Sequence, residues 1–131
     1  MADDQFLALE LDELRVSPIT EAAGLVVGQD VVELKRNTTD GKYVIVRVPP
    51  DRPRELVMVR GRTDDDGFAR WLDDARAGRT GPLDGALSVC DARGSTVRRY
   101  KLTGVVPKSL MADTGTLTEK LVVTYEAMEE E

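Results

Sequence analysis

The chain has 131 residues, a net charge of −6 at pH 7, 41% hydrophobic and 32% charged residues, one cysteine and no histidine. This composition is typical of one soluble globular domain over residues 1–131, and its acidic balance argues against general nucleic-acid binding, which needs a basic surface. The missing histidine excludes a Ser-His-Asp triad and a His-ligated zinc site, and the single cysteine, Cys90, excludes an internal disulfide.

The first predicted strand lies in "QFLALELDEL", where Leu7, Leu9 and Leu11 alternate with other residues. Successive side chains of a strand point to opposite faces, so these three leucines share one face and are candidate core residues. The stretch "SPIT" that follows is typical of a turn.

The run "GLVVGQDVVELKR" reads as one long strand in which Gly24 and Gly28 mark a bulge or a bend. Asp40-Gly41 is a hairpin signal. The next strand, "KYVIVRV", is apolar on both faces, whereas a small sandwich normally wets one face of each sheet. These two-sided strands therefore indicate that another chain covers part of the surface, as in a homo-oligomer.

One helix is predicted at about residues 64–77. Its apolar residues recur at helical spacing, at Phe68, Trp71, Leu72 and Ala75. Thr63 is the expected N-cap, and Asp66, three residues later, completes a weak capping box. Asp66 and Arg70 are spaced for a surface ion pair, and Gly78 is the stop signal.

The three aspartates at this helix start, Asp64 to Asp66, also raise the alternative of an acidic metal or catalytic site. Carboxylates at such a site must converge, whereas consecutive helical residues diverge by about 100° each. The helix-start interpretation is therefore preferred. No catalytic residue, metal ligand or cofactor is predicted.

The second half of the chain again predicts strands. Cys90 lies in the strand "ALSVCD" as a small buried hydrophobe. After the turn "ARGS" a further strand is expected to end at Pro107, and the following "KSLMADTGT" reads as a loop. The last strand places four residues on one face, Leu117, Leu121, Val123 and Tyr125.

These elements together predict a mainly β fold. We expect two packed antiparallel sheets, sandwich-like or barrel-like, because several strands are separated by short polar turns. The single helix at about residues 64–77 is expected to flank them.

The order of these features resembles the tail-tube proteins of contractile phage tails and of related bacterial contractile injection systems. An apolar strand ending in "VVE" lies within Ile19 to Arg36, and a strand leading into an acidic, tryptophan-containing helix spans Leu56 to Gly78. A "D-x-x-G" hairpin and a strand with a late proline span Leu87 to Leu110, and "TEKLVVTYEAME" closes the chain. The resemblance runs from about Phe6 to Glu129.

The resemblance implies a structural protein with no enzymatic activity and no cofactor. Six subunits are expected to join their sheets into a hexameric ring, and the rings to stack into a rigid hollow tube. A contractile sheath drives such a tube through a target envelope. The implied partners are other copies of the chain, the sheath protein, baseplate and spike proteins, and luminal cargo, with nucleic acid only in a phage tail that passes DNA.

The resemblance also implies where the chain works. Assembly in the cytoplasm, followed by incorporation into a virion tail or an injection particle, is expected. In keeping with this, the N-terminus lacks the features of a secretory signal, and no apolar run is long enough for a membrane anchor.

Contact residues between subunits follow from the same resemblance. The segment Thr39 to Pro50 is the candidate inter-ring hairpin, and strand edges near Val44, Val46 and Leu110 are candidate contacts between subunits. The full set of candidates is Thr39, Asp40, Gly41, Lys42, Tyr43, Val44, Val46, Pro49, Pro50 and Leu110.

Two departures from the family pattern leave alternatives open. "VPPDRPREL" stands where the family often has "LPG", and "GVVPKSL" lacks an aromatic residue before its proline. A tube initiator or baseplate adaptor is therefore the first alternative. The second is a monomeric β-sandwich binding module, in which Thr39 to Pro50 is a mobile loop, and the third is an enzyme that uses Asp64 to Asp66.

Overall fold

The computed structural model describes residues 5–12, 14–27, 30–36, 39–48, 54–113 and 115–131. Within these ranges the chain forms ten strands and one helix. In chain order they are β1 Phe6–Leu11, β2 Leu14–Ile19, β3 Glu21–Val27, β4 Asp30–Arg36, β5 Tyr43–Val48, β6 Glu55–Gly61, α1 Gly67–Arg76, β7 Leu83–Cys90, β8 Thr96–Asp113, β9 Thr118–Thr124 and β10 Ala127–Glu130.

The long strand β8 belongs to two antiparallel layers. Its first part pairs with β7 as far as Val105, and its second part pairs with β9 from Val106 onwards. The strand order is β2-β1-β7-β8-β9-β6-β3-β4-β5, with β10 paired to the first part of β8. The sheet does not close on itself. This arrangement confirms the predicted fold class of two antiparallel layers with one flanking helix.

The strand β8 continues through Pro107, so two predictions are wrong: that Pro107 ends the strand, and that a loop follows it. Beyond Val105, β8 has no strand partner on the β7 side within the described ranges. Its register against β9 also shifts between Pro107 and Ser109. Proline is tolerated at such an edge or bulge, because a missing N–H breaks no regular ladder there.

The run predicted as one long strand folds as a hairpin. β3 ends at Val27, and β4 begins at Asp30 and pairs back onto it. The register shift at Gly24 confirms the predicted bulge, while Gly28 lies outside the described residues. The predicted turn "SPIT" is also wrong in its first three residues, because Ile19 pairs with Leu7 and keeps the segment in β2.

The core lies between the two layers. Leu7, Leu9 and Leu11 are fully buried, which confirms the face predicted for the first strand. The opposing strands contribute Leu34, Leu56, Met58, Leu121 and Val123 to the same core, although on β9 Val122, on the other face, is buried too. Leu117 is the exception among the predicted core residues, since it lies in a turn with φ 56° and is 64% exposed.

The helix α1 begins at Gly67, three residues later than predicted, so no acidic residue lies in its first turn. Asp66 is the N-cap residue, but its side chain makes no capping hydrogen bond. Thr63 is not the N-cap; its Oγ1 accepts from the N–H of Asp65 at 3.2 Å, and Asp65 Oδ1 accepts from the N–H of Gly67 at 2.9 Å. These local side-chain bonds stabilise turns in place of a helical turn.

The rest of the helix prediction is confirmed. Arg70 Nη2 donates to Asp66 Oδ1 at 2.7 Å, and this hydrogen bond holds the pKa of the Asp66 carboxyl below its usual value. Phe68 and Trp71 pack edge to face, with ring centroids 5.6 Å apart, and the buried side of α1 lies against β2 and β8. No helix in the described ranges is long and apolar enough to cross a membrane.

Candidate assembly surfaces

The strand β5 forms one end of the strand order. It pairs with β4 on one side, from Tyr43 opposite Arg36 to Val48 opposite Val31. On its other side no strand pairs with it within the described part of the chain. The N–H and C=O groups on that side are therefore a template for pairing with another chain.

The side chains of β5 make this edge apolar on both faces. Val44 is 44% exposed and Ile45 is 41% exposed, and adjacent strand residues point to opposite faces. Ile45 lies in register with Leu34, which is fully buried, so the core face of the layer continues out to an exposed edge. Val46, on the face of Val44, is half-buried. An open edge of this kind is an aggregation hazard unless an assembly covers it.

The turn that leads into β5 is the hairpin predicted from Asp40-Gly41. Asp40 Oδ1 accepts from the N–H of Lys42 at 3.0 Å, and Gly41 has the positive φ of 71° that favours glycine. The carbonyl of Gly41 also accepts from the N–H of Gln5 at 2.9 Å. Thr39 and Lys42 stand exposed at the end of the hairpin.

Tyr43 fastens this hairpin to the body of the protein. Its N–H donates to Gln5 Oε1 at 2.9 Å, and its hydroxyl donates to the carbonyl of Thr20 at 2.8 Å, where β2 passes into β3. Burial raises the pKa of the Tyr43 phenol, and the charge of Arg36 partly opposes this shift. The side chain of Tyr43 therefore belongs to the core of its own subunit.

A second apolar surface lies where β8 runs on without β7. Leu110 is half-buried and packs against the core, whereas Met111, the next residue, is 55% exposed. Leu110 was predicted as a contact residue, whereas Met111 and Ile45 were not. The two-sided apolar run "YVIVRV" was the available signal for Ile45, and no pattern marked Met111. Pro49 and Pro50, also named from the sequence, lie outside the described residues.

The other sequence candidates have structural roles. Asp65 and Asp66 each accept a hydrogen bond from a neighbouring group, and in the described ranges no cluster of three or more His, Cys, Asp or Glu residues could hold a metal ion. Cys90 is buried, and that burial raises the pKa of its thiol. The "RGS" stretch forms the β7–β8 turn, in which the N–H of Gly94 donates to the carbonyl of Asp91.

The match to known protein families covers almost the whole chain. The family described as T4-like virus tail tube protein gp19 matches residues 5–129. This chain belongs to the T4-like virus tail tube protein family. It is thus a structural component of a contractile tail, as the order of its motifs predicted.

The tail tube fold is also found among solved structures. The chain is similar to a chain in a structure described as the cryo-EM structure of the anti-feeding prophage (AFP) baseplate, 6-fold symmetrised, with a TM-score of 0.55 and 11% sequence identity. The alignment covers 100% of this chain and 94% of that chain. At this low identity the likeness shows a shared fold. No curated protein sequence matches the chain.

Proposed function

We propose that this tail tube family protein is the inner-tube subunit of a contractile phage tail or bacterial contractile injection system. Residues 1–131 act as one tail-tube-like domain, six copies form a ring, and the rings stack into a rigid hollow tube. The single observation that carries the proposal is the open β5 edge, apolar on both faces, in a chain of this family.

Ring formation uses strand addition between copies. The β5 edge of one subunit, with Val44, Ile45 and Val46, pairs beside the part of β8 that β7 leaves uncovered in the next subunit. Main-chain hydrogen bonds then supply affinity, and the exposed apolar side chains supply specificity. The two surfaces differ, so the contact is heterologous, and heterologous contacts generate closed rings or continuing filaments.

Stacking of the rings uses the β4–β5 hairpin. Its exposed end carries Thr39, Asp40 and Lys42, and Tyr43 holds it rigidly against the β2–β3 junction. A fastened hairpin loses little conformational entropy when it contacts the next ring, which favours a stiff tube over a flexible one. The candidate segment continues to Pro50.

The proposed mechanism is assembly and the transmission of force, without covalent chemistry. The partners are other copies of the chain, the sheath protein, and the baseplate and spike proteins, and the lumen holds the cargo. The 6-fold symmetry in the description of the baseplate structure that contains a similar chain supports six copies per ring. The site of action is the virion tail or the injection particle.

Negative-stain electron microscopy of the purified protein over a concentration series, with sedimentation velocity in parallel, tests this proposal. Hexameric rings that stack into tubes are expected as concentration rises. A monomer at every concentration, which also fails to add to purified baseplates, contradicts the proposal and supports the monomeric binding module.

A tube initiator or baseplate adaptor is the second candidate. It is favoured by the baseplate structure that contains a similar chain and by the sequence departures at "VPPDRPREL" and "GVVPKSL". An initiator forms a single ring against the baseplate, so rings that do not stack at any concentration support it over the main tube subunit.

A further inference from the structure

A small cavity of about 250 Å³ lies beside the segment that links β6 to α1. It is lined by Ser17 and Pro18 of β2, by Arg60 and Gly61 at the end of β6, and by Arg62 and Thr63 of the linking segment. Among the described residues no carboxylate lines the cavity, although the chain as a whole carries a net charge of −6. The protein as a whole is acidic, whereas the described residues that line this cavity include two arginines and no acidic residue.

Arg60 is an almost buried cation in the wall of this cavity. The residue is 4% exposed, and its Nε donates to Glu119 Oε2 at 3.0 Å. Glu119 itself is 15% exposed, so the ion pair lies mostly out of solvent at the wall of the cavity.

A buried guanidinium with free donors is costly unless an acceptor reaches it. Arginine carries five N–H donors in a planar fork that matches the oxygens of a carboxylate or a phosphate. Here Glu119 accepts from Nε, and a fork of five donors can serve a second oxyanion beside it. Burial strengthens such a bond, because water competes less well in a medium of lower dielectric constant.

Three further donors border the same cavity. Arg62 is exposed and forms no ion pair within the described part of the chain. Thr63 Oγ1 accepts from the N–H of Asp65, which leaves the hydroxyl hydrogen available to donate. Ser17 adds a second hydroxyl. The charges of Arg60 and Glu119 cancel, so Arg62 gives the residues around the cavity one net positive charge.

We propose that this cavity, the Arg60–Arg62 pocket, binds an oxyanion with two or three acceptor oxygens, a carboxylate or a phosphate. Its volume of about 250 Å³ accommodates one such group. Two sources can supply the group: a free inorganic anion, or a carboxylate of another copy of the chain, which carries 24 aspartates and glutamates. The pocket exists within one subunit, so the proposal does not depend on tube formation.

Thermal unfolding of the full chain with inorganic phosphate, against chloride at matched ionic strength, tests the pocket. A ligand that binds only the folded state raises the melting temperature as its concentration passes its dissociation constant. We expect phosphate to raise it in the wild type, and Arg62→Gln to weaken phosphate binding by at least about tenfold, because a charge-assisted donor is lost. Arg93→Gln, at the exposed β7–β8 turn, is the matched control and keeps the wild-type response.

Variant design keeps the test independent of folding. Arg62 is exposed, so its replacement leaves the Arg60–Glu119 pair intact. Arg60→Lys is a second variant that keeps the charge but removes the fork, and it is expected to lose the phosphate response as well. The proposal is overturned if phosphate raises the melting temperature equally in the wild type and in Arg62→Gln. It is also overturned if phosphate has no effect on the wild type and Arg62→Gln assembles as the wild type does.

Sedimentation velocity distinguishes the two sources of the oxyanion. If a carboxylate of another copy fills the pocket, phosphate competes with it and shifts the protein towards smaller species, and Arg62→Gln assembles less well. If a free anion fills it, phosphate stabilises the subunit and leaves the distribution of species unchanged. Either result supports oxyanion binding and assigns its source.

Discussion

The hydroxyl of Tyr125 donates a hydrogen bond to the carbonyl of Gly24 over 2.8 Å, across 101 positions of the sequence. Tyr125 lies between β9 and β10, and Gly24 lies at the bulge of β3. At that bulge the chain runs so close to β6 that a Cβ on Gly24 would lie 1.9 Å from the carbonyl oxygen of Glu55. The bulge and the tyrosine together fix where β3 leaves its pairing with β6.

Replacing Gly24 with alanine is expected to destabilise the fold by at least about 2 kcal/mol. The left-handed backbone at φ 100° costs an alanine about 1–2 kcal/mol, and the Cβ must also push β3 away from Glu55. Urea unfolding followed by circular dichroism measures the change. Gly78→Ala is the control, since Gly78 has a φ of 73° but open space around it, and we expect it to lose only about 1 kcal/mol. Equal losses at the two positions would refute the close-approach argument.

Tyr125→Phe removes the hydroxyl that bonds to Gly24 and leaves that carbonyl without its donor. We expect a loss of about 1 kcal/mol, the usual net value of such a bond. Tyr100→Phe provides the comparison, because the buried hydroxyl of Tyr100 makes no hydrogen bond of good geometry among the described residues, although Arg98 lies close enough to oppose the rise in pKa that burial causes. Removing it is expected to leave the free energy of unfolding unchanged or raised. A larger loss for Tyr100→Phe than for Tyr125→Phe would contradict both assignments.

Cys90 is expected to react slowly with a thiol reagent such as DTNB. Burial raises the pKa of its thiol, so little nucleophilic thiolate forms near pH 8, and the side chain is 1% exposed. We expect the native protein to react at least about 100-fold more slowly than the protein unfolded in urea, because reaction requires opening of the structure. Free glutathione in the same buffers corrects for the effect of urea on the reagent. A native protein that reacts about as fast as glutathione would contradict the burial of Cys90.

The same thiol makes stability depend on pH. Its pKa is higher in the folded state than in the unfolded state, so the folded protein holds this proton more tightly. The contribution to stability is therefore fully present below the unfolded thiol pKa of about 8.5, and it is lost as pH rises from there through the folded pKa. Urea unfolding from pH 7 to 10 measures it, and Cys90→Ala is expected to show a smaller decline over that range.

Placing lysines at Val44 and Ile45 together is expected to prevent assembly without unfolding the subunit. Edge charges block strand addition, and both side chains are more than two-fifths exposed in one copy, so the cost to stability is small. Sedimentation velocity and electron microscopy measure assembly, and circular dichroism checks the fold. Val97→Lys, at a position 55% exposed on β8, is the matched control and is expected to assemble normally. Unchanged assembly of the double variant would show that another surface joins the subunits.

The sequence by itself determined the features that depend on neighbouring residues. Alternation placed Leu7, Leu9 and Leu11 in the core, helical spacing placed Phe68 and Trp71 on the buried side of α1, and Asp40-Gly41 marked a turn. Each of these follows from the period of one element or from the φ that one residue tolerates. The order of such local features also sufficed to predict the tail tube family.

The candidate assembly surface was predictable only in part. The two-sided apolar run of β5 signalled that something covers it, and the family resemblance named Val44 and Val46 as candidate contacts. Nothing in the run showed that β5 ends the strand order, or that Tyr43 turns inwards to reach Thr20. Both facts depend on which strand lies beside β5, and a periodic pattern does not carry that information.

Only the tertiary structure decided the features that join distant parts of the chain. Pro107 is typical of a strand end, but β8 continues through it. Beyond Val105 the strand no longer pairs with β7 and instead pairs with β9. The bond from Tyr125 to Gly24 and the pair of Arg60 with Glu119 join residues 101 and 59 positions apart. Such contacts have no local signature in the sequence. They form only when the layers pack against each other, and the local conformation of each segment does not depend on them.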